Sequence, residues 1–263
     1  MRRAMRTIAI ENLKGGVGKT VTTISLAHIL VEEYRKSVLV VDCDGQCNLT
    51  RFYLGQVPDA PTLAEVLTGA HEPYWQDNVL SVRPGLWLLP ASQELYRLDL
   101  AAIRRGASSL TVLRDFLEAV AEDGEVDVVL FDCPPGFTAA STAALMAAGE
   151  IIVPVLMDGF SVEGMADMLL QVTSMREVNP ALRVTGVLIN QWHRSPAVTE
   201  GEQLLRSMPL PVFRQTIRRT DKVPESTFLK QPVLDYSSAS AASRDYRLLC
   251  QEIFGEVQRS GQV

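Results

Sequence analysis

Four short runs of the chain are apolar throughout rather than alternating: Val38–Val41, Val126–Phe131, Ile151–Leu156 and Val184–Ile189. A fifth apolar strand is predicted at Thr7–Ile10. Strands covered by helices on both faces read this way. Between them lie helical patterns: an amphipathic helix at Lys19–Tyr34, then Ser108–Ala121, Ala139–Ala148 and Val162–Val178. The last carries Met165, Met168, Leu169, Val172 and Met175 at helical spacing. Strand alternating with helix predicts an α/β fold, a mostly parallel twisted sheet with helices on both faces. Ligands of such sheets bind beyond the carboxyl ends of the strands. Arg51–Ser81, richer in Gly, Pro and polar residues, reads as an irregular excursion with a short helix at Thr62–Thr68. Ser243–Val257 reads as a helix with Tyr246, Leu249, Cys250, Ile253 and Phe254 on one side. Its polar side carries Glu252 and Glu256 and few bases, so it is expected to pack on the core rather than on a membrane surface.

The loop after the first strand is KGGVGKT, Lys14–Thr20, and it opens the first helix. That strand–loop–helix context is what a phosphate-binding loop requires. Glycines let backbone N–H groups close around an anion, and the helix N-terminus adds partial positive charge. The candidate nucleotide-binding segment runs from Lys14 through Gly15, Gly16, Val17, Gly18, Lys19 and Thr20 to Val21. Lys19 would reach the β- and γ-phosphates and the Thr20 hydroxyl would sit on Mg²⁺. The standard pattern wants glycine at position 13, where this chain has Leu13, and a second lysine, Lys14, stands at the loop entrance.

The other strand ends carry carboxylates. Asp132 closes an apolar strand, and a strand-end Asp in this position holds Mg²⁺ in P-loop ATPases. Cys133-Pro134-Pro135 follows and makes a turn. Asp42 and Asp44 flank Cys43; their side chains are expected to point in opposite directions, so that one of them faces the γ-phosphate. Length and composition fit one large α/β domain over residues 1–263, with 47% hydrophobic residues and a net charge of −6. No apolar run approaches a membrane span and no cleavable signal is evident, so a cytoplasmic protein is expected. Four cysteines (Cys43, Cys47, Cys133, Cys250) lack paired spacing and read as buried free thiols.

Taken in order, KGGVGKT, VDCDGQCN (Val41–Asn48), VVLFDCPPG (Val128–Gly136) and the C-terminal stretch Ile217–Leu249 resemble the ParA/MinD group of deviant Walker A ATPases, most closely its short, Soj-like ParA members. The resemblance implies a P-loop NTPase fold with ATP and Mg²⁺ as cofactors. It implies that Lys14 crosses an ATP-dependent homodimer interface to the partner's phosphates, and that Asp44 positions the attacking water while Asp42 lies near Mg²⁺. Lys14, Lys19 and Asp44 would then be the catalytic set. It implies that Asn190, at a strand end, contacts the base. Gly45 stands where the group has proline and Cys47 where it has glycine, which puts the stiffness of that loop in question. Longer relatives carry a helix-turn-helix ahead of the first strand, and no such module is expected here.

Pro211–Gln231 holds Arg214, Arg218, Arg219, Lys222 and Lys230 against Asp221 and Glu225, a local balance of +3 in an acidic chain. Soj-like proteins bind non-specific double-stranded DNA through this part of the chain, and aromatic interleaving suited to single strands is absent. The five bases are the candidate DNA contacts, expected to act apart from the phosphate motifs, from which they are distant in sequence. The implied partners are DNA, a ParB-like stimulator of hydrolysis and a second copy of the chain, with nucleoid association and no membrane. Two rivals remain: a positioner of protein cargo with the same cycle, and an iron–sulfur reductase-type ATPase suggested by Cys133.

Overall fold

A computed structural model of the chain describes residues 4–72, 74–105, 111–158 and 161–255. Its elements in chain order are β1 (Arg6–Ile10), α1 (Lys19–Glu32), β2 (Val38–Asp42), α2 (Asn48–Leu54), α3 (Leu63–Thr68), β3 (Leu80–Arg83) and β4 (Leu86–Leu89). There follow α4 (Glu94–Arg105), α5 (Val112–Asp123), β5 (Val128–Asp132), α6 (Ala139–Ala147), β6 (Glu150–Val155), α7 (Ser161–Val178) and β7 (Arg183–Ile189). Four further helices complete the described residues: α8 (Pro196–Ser207), α9 (Lys222–Phe228), α10 (Val233–Tyr236) and α11 (Ala241–Phe254). The strands form one sheet in the order β3-β4-β2-β5-β1-β6-β7. All pairs are parallel except β3–β4 at one edge.

The uniformly apolar strands feed two cores because successive side chains leave opposite faces. Ile8, Ile10, Val38, Val40 and Leu130 join one core with α1, α10 and α11. Ala9, Leu39, Val41, Val129 and Phe131 join the other with α3, α5, α6 and α7. The α/β fold and the five expected strands are present within a residue or two at their ends. Val126, expected to open the fifth strand, precedes it. Residues 108–110, 256 and 257 lie outside the described residues, as do the side chains of Met165 and Leu169. Of the α7 positions expected to face the core, Met168 and Val172 are buried and Met175 packs at the margin.

Two expectations need correction. First, α1 is not amphipathic: Thr22 through Val31 are all buried. It is sandwiched between the sheet and the C-terminal helices, with α11 across it, and a helix covered on several sides is hydrophobic all round. Second, Arg51–Ser81 is better ordered than expected, and its last residues open an antiparallel pair, β3–β4, at the edge of the sheet. The C-terminal helix packs as expected: Tyr246, Leu249 and Cys250 are buried, Ile253 and Phe254 lie at the core margin, and Arg6 stacks 4.3 Å over the Phe254 ring.

Strand register sets the site. Ile10 pairs with Asp132, and Asp132 with Asp42, so β1, β5 and β2 end level. The P-loop, the Cys43–Cys47 loop and the Cys133–Thr138 loop therefore leave the sheet side by side. Past β7 the chain runs alongside that strand: Phe213 donates its N–H to Val187 O (3.0 Å) and Ile217 to Ile189 O (2.9 Å). This carries Arg218 and Arg219 back to the same end of the sheet.

Candidate functional site

The loop after β1 turns at two glycines. Gly16 (φ 75°) and Gly18 (φ 90°) occupy the left-handed region, where other residues are strained. At Gly18 a side chain would also collide with the Asn190 amide. Leu13 has no such φ and packs against the core, which explains why glycine is dispensable there. Asn12 braces the loop. Its amide donates to Pro154 O (2.7 Å), and its Oδ1 accepts from Lys14 N (2.9 Å). The Asn190 amide donates to Val17 O (2.8 Å) and that of Gln191 to Gly16 O (3.1 Å). Asn190 lines the cavity, and its amide nitrogen is committed to holding the loop.

Lys19 is nearly buried, and its ammonium donates to Asn12 O (2.8 Å) and Lys14 O (3.1 Å). An ammonium has three donors, so one is left for a phosphate. Burial depresses its pKa, against the pull of Glu11 and Asp132. The Lys14 side chain instead forms an ion pair with Asp158, beyond β6.

Asp42 is fully buried. Its Oδ2 accepts from Thr50 N (2.8 Å) and Thr50 Oγ1 (2.7 Å), and its Oδ1 from Asp44 N (3.1 Å). Asp44 lines the cavity, with Oδ1 accepting from Gln46 N (2.8 Å). The two carboxylates do part, but not through pleating, which places residues two apart on the same face; the strand ends at Asp42 and the chain turns. Asp132 accepts from Thr23 Oγ1 at 3.4 Å. Burial, then the neighbouring Asp42, push its pKa well above the usual range, while the Thr20 hydroxyl and Lys19 oppose the shift. Asp42 is pushed up to about 6 by burial, against its Thr50 bonds. Two adjacent buried carboxylates held toward neutrality, with a threonine hydroxyl beside them, are a donor set suited to a hard divalent cation.

Cys43 and Cys133 follow these aspartates and are buried, as are Cys47 and Cys250. Contact with Cys43, then burial, pushes the Cys133 thiol well up. Protonated, enclosed thiols are inert.

Glu11 was not anticipated. It is fully buried and neither carboxylate oxygen has a hydrogen-bond partner among the described residues. Burial pushes it up to about 8, with Lys19 pulling down. A carboxyl raised in the fold contributes stability that is complete below its unfolded pKa, about 4.5, and is lost as pH rises through about 8. Glu11→Gln, which copies the neutral form, should melt close to the wild type near pH 4.5. It should gain on the wild type by roughly 1 kcal/mol per pH unit up to about pH 8. Thermal melts across that range check this; a difference flat with pH would mean that Glu11 is ionised in the fold.

One cavity of about 770 Å³ joins the P-loop to the loops after β2, β5 and β7, with Lys14, Asp42, Asp132 and Glu11 outside its lining. It is lined by the P-loop from Gly15 to Val21, by Asp44 and Gln46, by Tyr96 of α4, by Pro134 and Pro135, and by Asn190 and Gln191. Arg218, Arg219, Val223 and Pro224 also line it. The expectation that the basic segment lies apart from the phosphate motifs therefore fails for Arg218 and Arg219: the strand-like run beside β7 returns them to the nucleotide end. The five bases also differ in their partners. Arg218 makes a bidentate pair with the buried Asp245 (2.8 and 2.7 Å), whose Oδ2 also accepts Arg218 N (2.9 Å). Lys222 pairs with Glu225 (2.7 Å) and Lys230 donates to Gly55 O (3.1 Å). Among the described residues the side chains of Arg214 and Arg219 make no hydrogen bond or ion pair, although the Arg214 backbone donates to Glu252 Oε1 (2.8 Å) and accepts from Arg206 (3.3 Å). Tyr96, Gln191 and Glu11 were missed by sequence reasoning; for Tyr96 the signal was the spacing of Leu95 and Leu98, which marks α4.

A glycine loop joining strand to helix, with a buried lysine and strand-end aspartates at the carboxyl edge of a parallel sheet, defines a P-loop nucleotide-binding protein. Comparison with known proteins agrees. A family model described as an AAA domain matches residues 5–184. The chain is 32% identical over 253 residues to the chromosome partitioning protein ParA of Caulobacter vibrioides, covering 95% of this chain and 94% of that protein. It is 33% identical over 263 residues to the chromosome-partitioning ATPase Soj of Thermus thermophilus, covering 99% and 100%. Among solved structures it resembles cobyrinic acid a,c-diamide synthase from Mycobacterium smegmatis with a bound ATP analogue and magnesium. That likeness has a TM-score of 0.78 at 27% identity and covers 96% of this chain and 98% of the other. The chain belongs to the ParA family and is a ParA-type P-loop ATPase. Among the described residues no helix is long and apolar enough to cross a membrane.

Proposed function

We propose that this protein is a DNA-partitioning ATPase whose ATP-bound dimer holds non-specific double-stranded DNA and lets go on hydrolysis. The observation that carries the reading is the convergence of the Lys14-led loop, Asp44 and Asp132 at one end of the sheet, in a chain related along its length to chromosome-partitioning proteins. The P-loop amides and Lys19 bind the phosphates, and Asn190 borders the base. Thr20, Asp132 and Asp42 are the residues that would hold Mg²⁺, which would supply charge neutralisation when bound. Asp44 orients the water that attacks the γ-phosphorus, so that the β–γ bridging bond breaks and ADP and phosphate leave. Lys14 exchanges Asp158 for the partner's phosphates, coupling dimerisation to ATP occupancy. A ParB-like protein accelerates the step, and the cargo is a plasmid, mobile element or chromosome on the nucleoid.

Binding to unrelated duplexes in ATP, ADP and no nucleotide tests the DNA switch. Retention with ATP alone is expected, falling steeply with salt. Arg214→Glu should weaken it about 10-fold and lower the salt slope by about one while leaving ATP affinity intact. Arg218 is the wrong residue for this test, because its loss strands the buried Asp245. Equal retention in all three nucleotide states would overturn the reading.

A further inference from the structure

The loop that carries Asp44 has glycine at position 45, where the ParA pattern has a ring, so it contains no stiffening residue of its own. A ring nonetheless covers it. Tyr96, on the first turn of α4, lies directly over Gly45: a methyl group at that glycine would stand 2.8–3.0 Å from the phenol ring. The Gln46 side-chain amide donates to the Tyr96 hydroxyl. Gly45 is consequently buried although it belongs to a surface loop, while Tyr96 itself remains 41% exposed and lines the same cavity as Asp44 and the P-loop. Gln46 links the two, since its backbone N–H is the donor to Asp44 Oδ1 and its side chain is the donor to Tyr96.

We propose that Tyr96 is a positioning residue that clamps the Asp44–Gln46 loop in its hydrolytic arrangement, replacing from α4 the rigidity that a proline at position 45 would give from within. The proposal rests on the reading of Asp44 as the group that orients water. The physical basis is conformational: glycine is the residue with the most backbone freedom to lose, and a ring seated on it with a hydrogen bond at the next residue removes that freedom without touching the reacting atoms. Gly45 N makes no hydrogen bond among the described residues and its φ is not positive, so proline is chemically admissible there. The ring of Tyr96 is what stands in its way.

The test is a double-mutant cycle on the full chain, reading single-turnover ATP hydrolysis, equilibrium ATP affinity and hydrogen exchange of the Gln46 and Cys47 amides. Tyr96→Ala should lower the hydrolysis rate about 10-fold, leave ATP affinity within about 2-fold, and speed exchange of both amides. Tyr96→Phe, which keeps the ring and loses the hydroxyl, should fall between. Gly45→Pro in the Tyr96→Ala background should recover the rate to within about 3-fold of wild type and restore slow exchange, because only one ring is then present. Unchanged exchange in Tyr96→Ala, or no recovery by proline, overturns the clamp. Asp44→Asn separates the two readings: if it is inactive while Tyr96→Ala turns over normally, the clamp is wrong and Asp44 keeps its role. If Asp44→Asn hydrolyses like the wild type, the role given to Asp44 is wrong, and the exchange data still decide whether Tyr96 holds the loop.

Discussion

Replacing Lys19 by alanine is expected to weaken ATP binding about 100-fold or more, since hydrogen bonds to charged groups contribute about 1.5–3 kcal/mol each and the ammonium would serve at least one phosphate at short range. Isothermal titration with Mg·ATP and with ADP would measure it. The structure adds a complication that the motif does not show. Lys19 already ties the Asn12 and Lys14 carbonyls across the loop (2.8 and 3.1 Å), so alanine also frees two carbonyls in a nearly closed site. A thermal melt without nucleotide separates the effects. If the apo protein melts as the wild type does while affinity collapses, the loss belongs to phosphate recognition. Affinity within about 3-fold of wild type would remove Lys19 from the phosphate site, because no charge-assisted bond is that weak.

What the sequence could disclose follows from how local each feature is. The P-loop is legible because strand, turn and helix are contiguous, and the two positions that demand glycine for their φ, Gly16 and Gly18, both have it. Asp132 is legible because it stops an apolar run, and strand register then places it beside Asp42. Features made by tertiary contact are not legible in this way. The charge count over Pro211–Gln231 registered Arg218 as a free base, but its partner Asp245 lies on α11, and the pair is structural. The same count could not know that the segment runs alongside β7 and ends in the nucleotide cavity. Strand β4 escaped because four residues between Pro84-Gly85 and Pro90 carry too little periodicity. Helix α1 was given an exposed face because its cover, α11, comes from the other end of the chain. Glu11 reads as one polar residue at a strand end; only the tertiary structure shows that its carboxyl is buried near Lys19 and Cys133 with no hydrogen bond of ordinary geometry among the described residues.

Asp44→Asn is the second large effect expected, and it acts at a different step. Asparagine keeps an oxygen that can accept from Gln46 N, so the turn made by Asp44 Oδ1 survives. What disappears is the carboxylate charge and basicity at the cavity wall. The hydrolysis rate should fall about 100-fold or more, the range for losing a group that orients or deprotonates the nucleophile. ATP affinity should hold, since the P-loop, Lys19 and Thr20 are untouched and one negative charge near the triphosphate is gone. With binding intact and turnover blocked, the ATP-bound dimer should accumulate. Size-exclusion chromatography in Mg·ATP would then show a persistent dimer for Asp44→Asn where the wild type decays to its ADP state. Lys14→Ala should bind nucleotide yet form no stable dimer, because the cation meant for the partner's phosphates is missing. A monomeric Asp44→Asn in saturating ATP, or a rate near that of the wild type, would break the link drawn here between this carboxylate, the attacking water and the lifetime of the dimer.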